Sequence, residues 1–143
     1  MKKSILGSLV GIAIVVALDS FARVAISLYT QQDILMFAYS SFPGPIWPIL
    51  LTLIAGVTSF LGGIFSLTYS KSHQAAAAAL FVFFIILLRY GQLHLLIDRE
   101  TLFFPITALI LSLGGVFLAW QLTHREKGSS EESTYHYPSD EQE

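Results

Sequence analysis

Apolar residues fall in four nearly continuous runs, Ile5 to Leu28, Ile46 to Leu67, Ala75 to Leu96 and Leu102 to Leu122, separated by short polar stretches. Each run reaches the roughly 20 residues that a helix rising 1.5 Å per residue needs to cross a bilayer. Such continuity excludes a transmembrane β-barrel, whose strands alternate apolar and polar positions. Pro43, Pro45 and Pro48 bracket the start of the second run and Pro105 the start of the fourth, where a missing backbone N–H costs a helix little. The links Thr68 to Gln74 and around Asp98, Arg99 and Glu100 are so short that the helices they join must run antiparallel. The pattern predicts an all-α fold, a four-helix transmembrane bundle forming one domain over residues 1–127.

Basic residues orient the spans. Lys2, Lys3, Lys71, Arg125 and Lys127 fall on one side and only Arg99 on the other, so both termini are expected in the cytoplasm. Residues 128–143, GSSEESTYHYPSDEQE, contain no aliphatic side chain and an excess of acid, and are expected to form a disordered tail. The first run admits a rival reading, a signal peptide in which Lys2 and Lys3 precede an apolar stretch and a cleavage site at Ser20-Phe21-Ala22, leaving three spans. Apolar character resumes from Val24 to Leu28, which favours a full span.

Composition narrows the function classes. The chain of 143 residues is 54% hydrophobic and 13% charged, more apolar than the roughly 45–50% of a soluble domain. A formal charge of -2, with most charges at the chain ends and links, argues against a nucleic-acid partner and leaves the lipid bilayer as the first one. The lack of cysteine removes disulfides, thiolate metal sites and Cys nucleophiles. No P-loop, GxGxxG, GxSxG or HExxH string occurs, and the spans lack the paired histidines or His-carboxylate spacing of bundle haem and metal sites. Neither an enzyme nor a metal or cofactor protein is expected, and a bacterial inner membrane is the expected setting.

Two groups of residues stand out once depth is counted along the spans. Small residues gather in the cytoplasmic half: Gly7 and Gly11 form a GxxxG pair, Ala55, Ser59 and Gly63 repeat every four residues, and Ala75 to Ala79, Gly114, Gly115 and Ala119 lie at similar depth. Lipid gives helices no hydrophobic reason to associate, so such residues promote close backbone packing, here assigned to Gly7, Gly11, Ser59, Gly63 and Gly115, or a homo-oligomer contact.

Ionisable residues lie in the opposite half. Asp19 is 14 residues beyond Ile5 and Arg89 is 14 beyond Ala75, so on parallel helices both sit roughly 21 Å from the inner boundary. A charge near the bilayer centre costs about 2.5–3.5 kcal/mol, which directs these groups inward and toward each other. The candidate cluster comprises Asp19, Arg23 one turn along, Arg89, Gln92 one turn above it, and His94 near the surface within reach of Asp98 or Glu100. It is either an interhelical ion pair that fixes register, or an outward-facing site where Arg23 and Arg89 bind an anion or Asp19 carries a proton. Tyr29, Phe37, Tyr39, Phe42 and Trp47 on one side and Tyr69 and Trp120 on the other suit interfacial belts. The expected function is a non-enzymatic accessory or assembly subunit with a membrane-protein partner; the alternative is a small oligomeric transporter or channel using Asp19 and Arg89.

Overall fold

The computed structural model describes residues 2–31, 46–70, 73–96 and 103–132. They form α1 (Lys2–Thr30), α2 (Ile46–Tyr69), α3 (Gln74–Leu96) and α4 (Phe103–Glu132). All four are long and apolar enough to cross a membrane. Phe37, Tyr39, Phe42, Pro43, Pro45, Lys71, Asp98, Arg99, Glu100 and residues 133–143, which entered the readings above, lie outside the described residues.

Helix ends match the apolar runs closely, with one difference. α4 continues to Glu132, past the expected end at Leu122, so the first five residues of the segment expected to be disordered, 128–132, are helical. Beyond the span the chain carries Arg125, Glu126 and Lys127, straight-chain residues that propagate a helix well, while Gly128 costs about 1 kcal/mol. α1 stops at Gln31, whose φ of 55° is the left-handed conformation that ends many helices.

Residue contacts fix the arrangement. Gly7 meets Ser66 and Ser70, Gly11 meets Gly62, and Ile26 packs with Leu51, so α1 and α2 run antiparallel. Ser8 meets Ala77 and Asp19 meets Arg89, so α1 and α3 run parallel. Gly56 meets Leu111 and Gly63 meets Val116 and Ala119, which makes α2 and α4 parallel as well. Going round the bundle the order is α1, α2, α4, α3, with α2 also touching α3 across the middle and no α1–α4 contact among the described residues. The joined pair α2 and α3 is antiparallel, as its short link requires, yet touches least of all the contacting pairs. One end of the bundle, here the Lys2 end, carries the starts of α1 and α3; the Thr30 end carries the starts of α2 and α4.

The distribution of side chains is the reverse of a water-soluble bundle. The buried stripe of α1 reads Ser4, Gly7, Ser8, Gly11, Val15, Asp19, Arg23, Ile26 and Ser27, small or polar at nearly every turn. Its outer face shows Ile5, Leu6, Leu9, Val10, Phe21 and Leu28, and the other helices expose Leu53, Val57, Phe65, Phe83, Leu87, Ile110 and Phe117. In water so much contiguous apolar surface is an aggregation hazard; in lipid it is the solvent-matched face, and polar groups belong inside.

Two apolar clusters fill the interior. Ile26, Leu51, Ala55 and Ala108, with Trp47 and Ile54 against them, occupy the Thr30 end. Val15, Phe81, Ile85 and Val116 occupy the middle. Phe81 is 1% exposed because glycines make room for it: a Cβ at Gly11 would lie 2.9 Å from its ring, at Gly62 3.1 Å and at Gly63 3.6 Å.

Close backbone approach is concentrated where the sequence placed it, though not at every small residue. A Cβ at Gly11 would fall 2.6 Å from the carbonyl oxygen of Gly62, one at Gly7 would fall 2.9 Å from that of Ser66, and one at Gly115 would collide with the backbone of Gly56. Ser59 is fully buried and Gly63 abuts Ala119. Gly114, by contrast, faces open space, and of the run Ala75 to Ala79 only Ala77 is buried, so the rest of that run serves as good helix former and not as packing surface.

Candidate functional site

A buried ion pair lies inside the bundle. Arg89 Nη1 donates to Asp19 Oδ2 at 2.9 Å, joining α3 to α1 at the equal depth the residue counts predict. Asp19, Arg23 and Arg89 are 6%, 3% and 2% exposed, although each is carried on a helix otherwise rich in lipid-facing side chains. They are drawn inward because the buried stripes place them there: Val15, Asp19 and Arg23 follow at four-residue steps on α1, and Phe81, Ile85 and Arg89 do so on α3.

From this pair two chains of hydrogen bonds run to α2. Thr58 Oγ1 donates to Asp19 Oδ1 at 3.0 Å, so both carboxylate oxygens are engaged. Arg89 Nε donates to Ser112 Oγ on α4 at 3.1 Å, and Ser112 in turn donates to the carbonyl oxygen of Ala55 at 3.3 Å. Arg89 Nη1 also donates to Gln92 Oε1 at 2.8 Å, one turn along its own helix. Asp19, Thr58 with Ala55, Arg89 with Gln92, and Ser112 thus bring all four helices to one place. A buried charge pair is tolerated only where its remaining donors and acceptors are met, and here most are.

Arg23 sits one turn beyond Asp19 on the same face, within electrostatic range of both Asp19 and Arg89. Arg89 Nη2 is buried without a hydrogen-bond partner. His94 belongs elsewhere: it is exposed on α3 and takes no part in the network. The network therefore brings together Asp19, Arg89 and Gln92, with Arg23 close by, and leaves His94 out.

Sequence reasoning missed Thr58 and Ser112. Each is a single hydroxyl in an apolar run and invites no attention alone. Their register carries the signal: Ser112 precedes Gly115 by one turn, Thr58 precedes Gly62 by four residues, and both glycines lie on packing faces.

A second polar group occupies the Lys2 end. Ser8 Oγ lies 2.9 Å from Ser4 O and 3.0 Å from Ala77 O, and can donate to either. Ser70 Oγ donates to Lys3 O at 3.2 Å, and Ser66 Oγ reaches Ser8 Oγ at 3.5 Å. All of these serines are buried, and none bears charge. Between the two polar groups lies the Gly11–Gly62 contact with Phe81 seated over it, so the interior is closed there by packed atoms.

Aromatic side chains mark both ends. Tyr29 and Trp47 rings stand 5.8 Å apart at the Thr30 end, and Trp120 and His124 rings 4.1 Å apart at the Lys2 end. Among the described residues no three His, Asp or Glu side chains gather where they could hold a metal ion. Comparison with protein families, with curated proteins and with solved structures finds no match to this chain.

Proposed function

We propose that this chain is a non-enzymatic integral membrane subunit of the bacterial inner membrane, with both termini in the cytoplasm, that acts by contact with a membrane-protein partner. The observation that supports this reading is the way the ionised side chains are used. Asp19 and Arg89 are bonded to each other and to α2 and α4, and the interior below them is filled by Phe81 and the Gly11–Gly62 approach. Residues committed to holding four helices together, above a closed half, suit a compact scaffold. Chain size agrees, since four short helices enclose little space for a transport path of their own.

The experiment is purification of the full chain in mild detergent through a tag at residue 143, followed by mass measurement of the intact complex. A stoichiometric foreign subunit is expected. A homo-oligomer with no partner contradicts the accessory role and supports the second reading, an oligomeric transporter or channel, which the presence of three ionisable side chains inside the spans favours. That reading requires Asp19→Asn to abolish flux while the protein stays folded. Orientation is tested by Ser40→Cys and His73→Cys with an impermeant thiol reagent on intact cells: labelling at Ser40→Cys alone is expected, and labelling at His73→Cys alone reverses the topology.

A further inference from the structure

α3 is joined to the bundle differently from the other three helices. Among the described glycines, every close backbone approach links α1 to α2, at Gly7 with Ser66 and Gly11 with Gly62, or α2 to α4, at Gly56 with Leu111, Gly63 with Val116 and Gly115 with Gly56. The one glycine of α3, Gly91, has open space where a Cβ would stand. Buried positions on α2 come in adjacent pairs, Leu51 with Thr52, Thr58 with Ser59, Gly62 with Gly63 and Ser66 with Leu67, which makes a broad face. Those of α3 run nearly in single file through Ala77, Phe81, Ile85, Arg89 and Gln92. Since α1 and α4 do not touch among the described residues, α3 lies over α2 in the groove between them.

The polar side chains that bond across this seam each have a second partner on their own side of it. Ser8 Oγ reaches Ser4 O as well as Ala77 O. Asp19 also accepts from Thr58, and Ser112 donates to the carbonyl of Ala55, both within α1, α2 and α4. Arg89 donates to Gln92 on α3 itself. Parting the seam therefore leaves none of these side chains without a partner. Its apolar contacts, Phe81 and Ile85 against Val15 and Val116, can be exchanged for lipid tails at little hydrophobic cost. The term that remains is the charge pair.

We infer that α3 is a movable helix, set against a rigid core of α1, α2 and α4 and latched by the bond between Arg89 and Asp19. Closed, Arg89 ties α3 to α1 through Asp19 and to α4 through Ser112. Open, the groove between α1 and α4 presents Asp19, Thr58 and Ser112 sideways, to the bilayer or to a neighbouring helix. Arg89 then stands about 10 Å from the end of its own helix, and its long side chain extends toward the interface. The device holds whether the chain acts alone or beside a protein partner.

The test uses the full chain in lipid nanodiscs. It has no cysteine, so spin labels can be placed in chosen pairs, and Phe65, Phe83 and Phe117 are exposed on α2, α3 and α4, where labels leave the interior undisturbed. Pulsed-EPR distances between Phe83→Cys and Phe117→Cys report α3 against the core; those between Phe65→Cys and Phe117→Cys report the core itself. The first pair is expected to show a second population several ångströms longer, minor in the otherwise unaltered chain and dominant once Arg89→Gln is added. The second pair is expected to keep one distance in both. A single distance for the first pair in both proteins, or equal broadening of the two pairs, overturns the inference. Should Arg89→Gln fail to fold, the double variant with Asp19→Asn, which leaves neither member of the charge pair alone, is measured in its place with the same two outcomes.

Discussion

The two halves of the bundle bring helices together by opposite means. At the Thr30 end, α1 and α3 are joined by a charge pair whose hydrogen bonds extend to α2 and α4. At the Lys2 end, α1 meets α2 through Gly7 and Gly11, and the serines between them bond mostly to backbone carbonyls. Directional bonds between long side chains hold helices at a distance and fix register; missing side chains let backbones touch and fix distance. A fold with little hydrophobic drive between its helices needs both, because lipid tails solvate leucine as well as another helix does.

The difference can be broken at either end, and the costs should not be equal. Asp19→Ala leaves the buried Arg89 without its carboxylate partner and is expected to cost about 3–5 kcal/mol, read as the loss of stability in detergent or as failure to insert. Thr58→Val keeps the shape but removes one bond to the carboxylate; a loss of about 1.5–3 kcal/mol is expected by the same measurement. Gly11→Ala forces a methyl against the Gly62 carbonyl and the Phe81 ring, an overpacking cost of about 1–3 kcal/mol, whereas Gly114→Ala meets open space and should lose nothing. Ser8→Ala, with its bond to Ala77 removed, is expected to cost only about 0.6 kcal/mol. Should Ser8→Ala match Asp19→Ala, the halves do not differ in the way described.

How much of this was legible in the chain depends on the kind of interaction. Spans were readable because bilayer thickness dictates a length that continuous apolar runs either meet or fail. The Asp19–Arg89 pairing was readable because a charge in lipid has few places to go and equal depth on parallel helices leaves one obvious partner. Gly7, Gly11 and Gly115 were readable as packing residues, but Gly114 and most of Ala75 to Ala79 carry the same signal and touch little, since small size permits contact without requiring it. His94 lies two residues beyond Gln92, which turns it by about 200° on a helix of 3.6 residues per turn and away from the network. Thr58 and Ser112 were hidden because a hydroxyl is tolerated almost anywhere on a membrane helix, and only the ring order of the helices shows that both face the ion pair. The helical extension of α4 to Glu132 was not legible because the acidic, aliphatic-free composition of 128–143 signals disorder, while Arg125, Glu126 and Lys127 just before it carry a helix onward.

The central claim, that the Asp19–Arg89 pair is what holds the charged half together, is tested most directly by a double-mutant cycle of Asp19→Asn and Arg89→Gln in thermal or denaturant unfolding. The account predicts that each single variant is strongly destabilised and that the double variant is more stable than the Asp19→Asn protein, with a coupling of roughly 1–3 kcal/mol. Additive losses, with no rescue in the double variant, would show that the two side chains act independently and that the bundle does not depend on their bond.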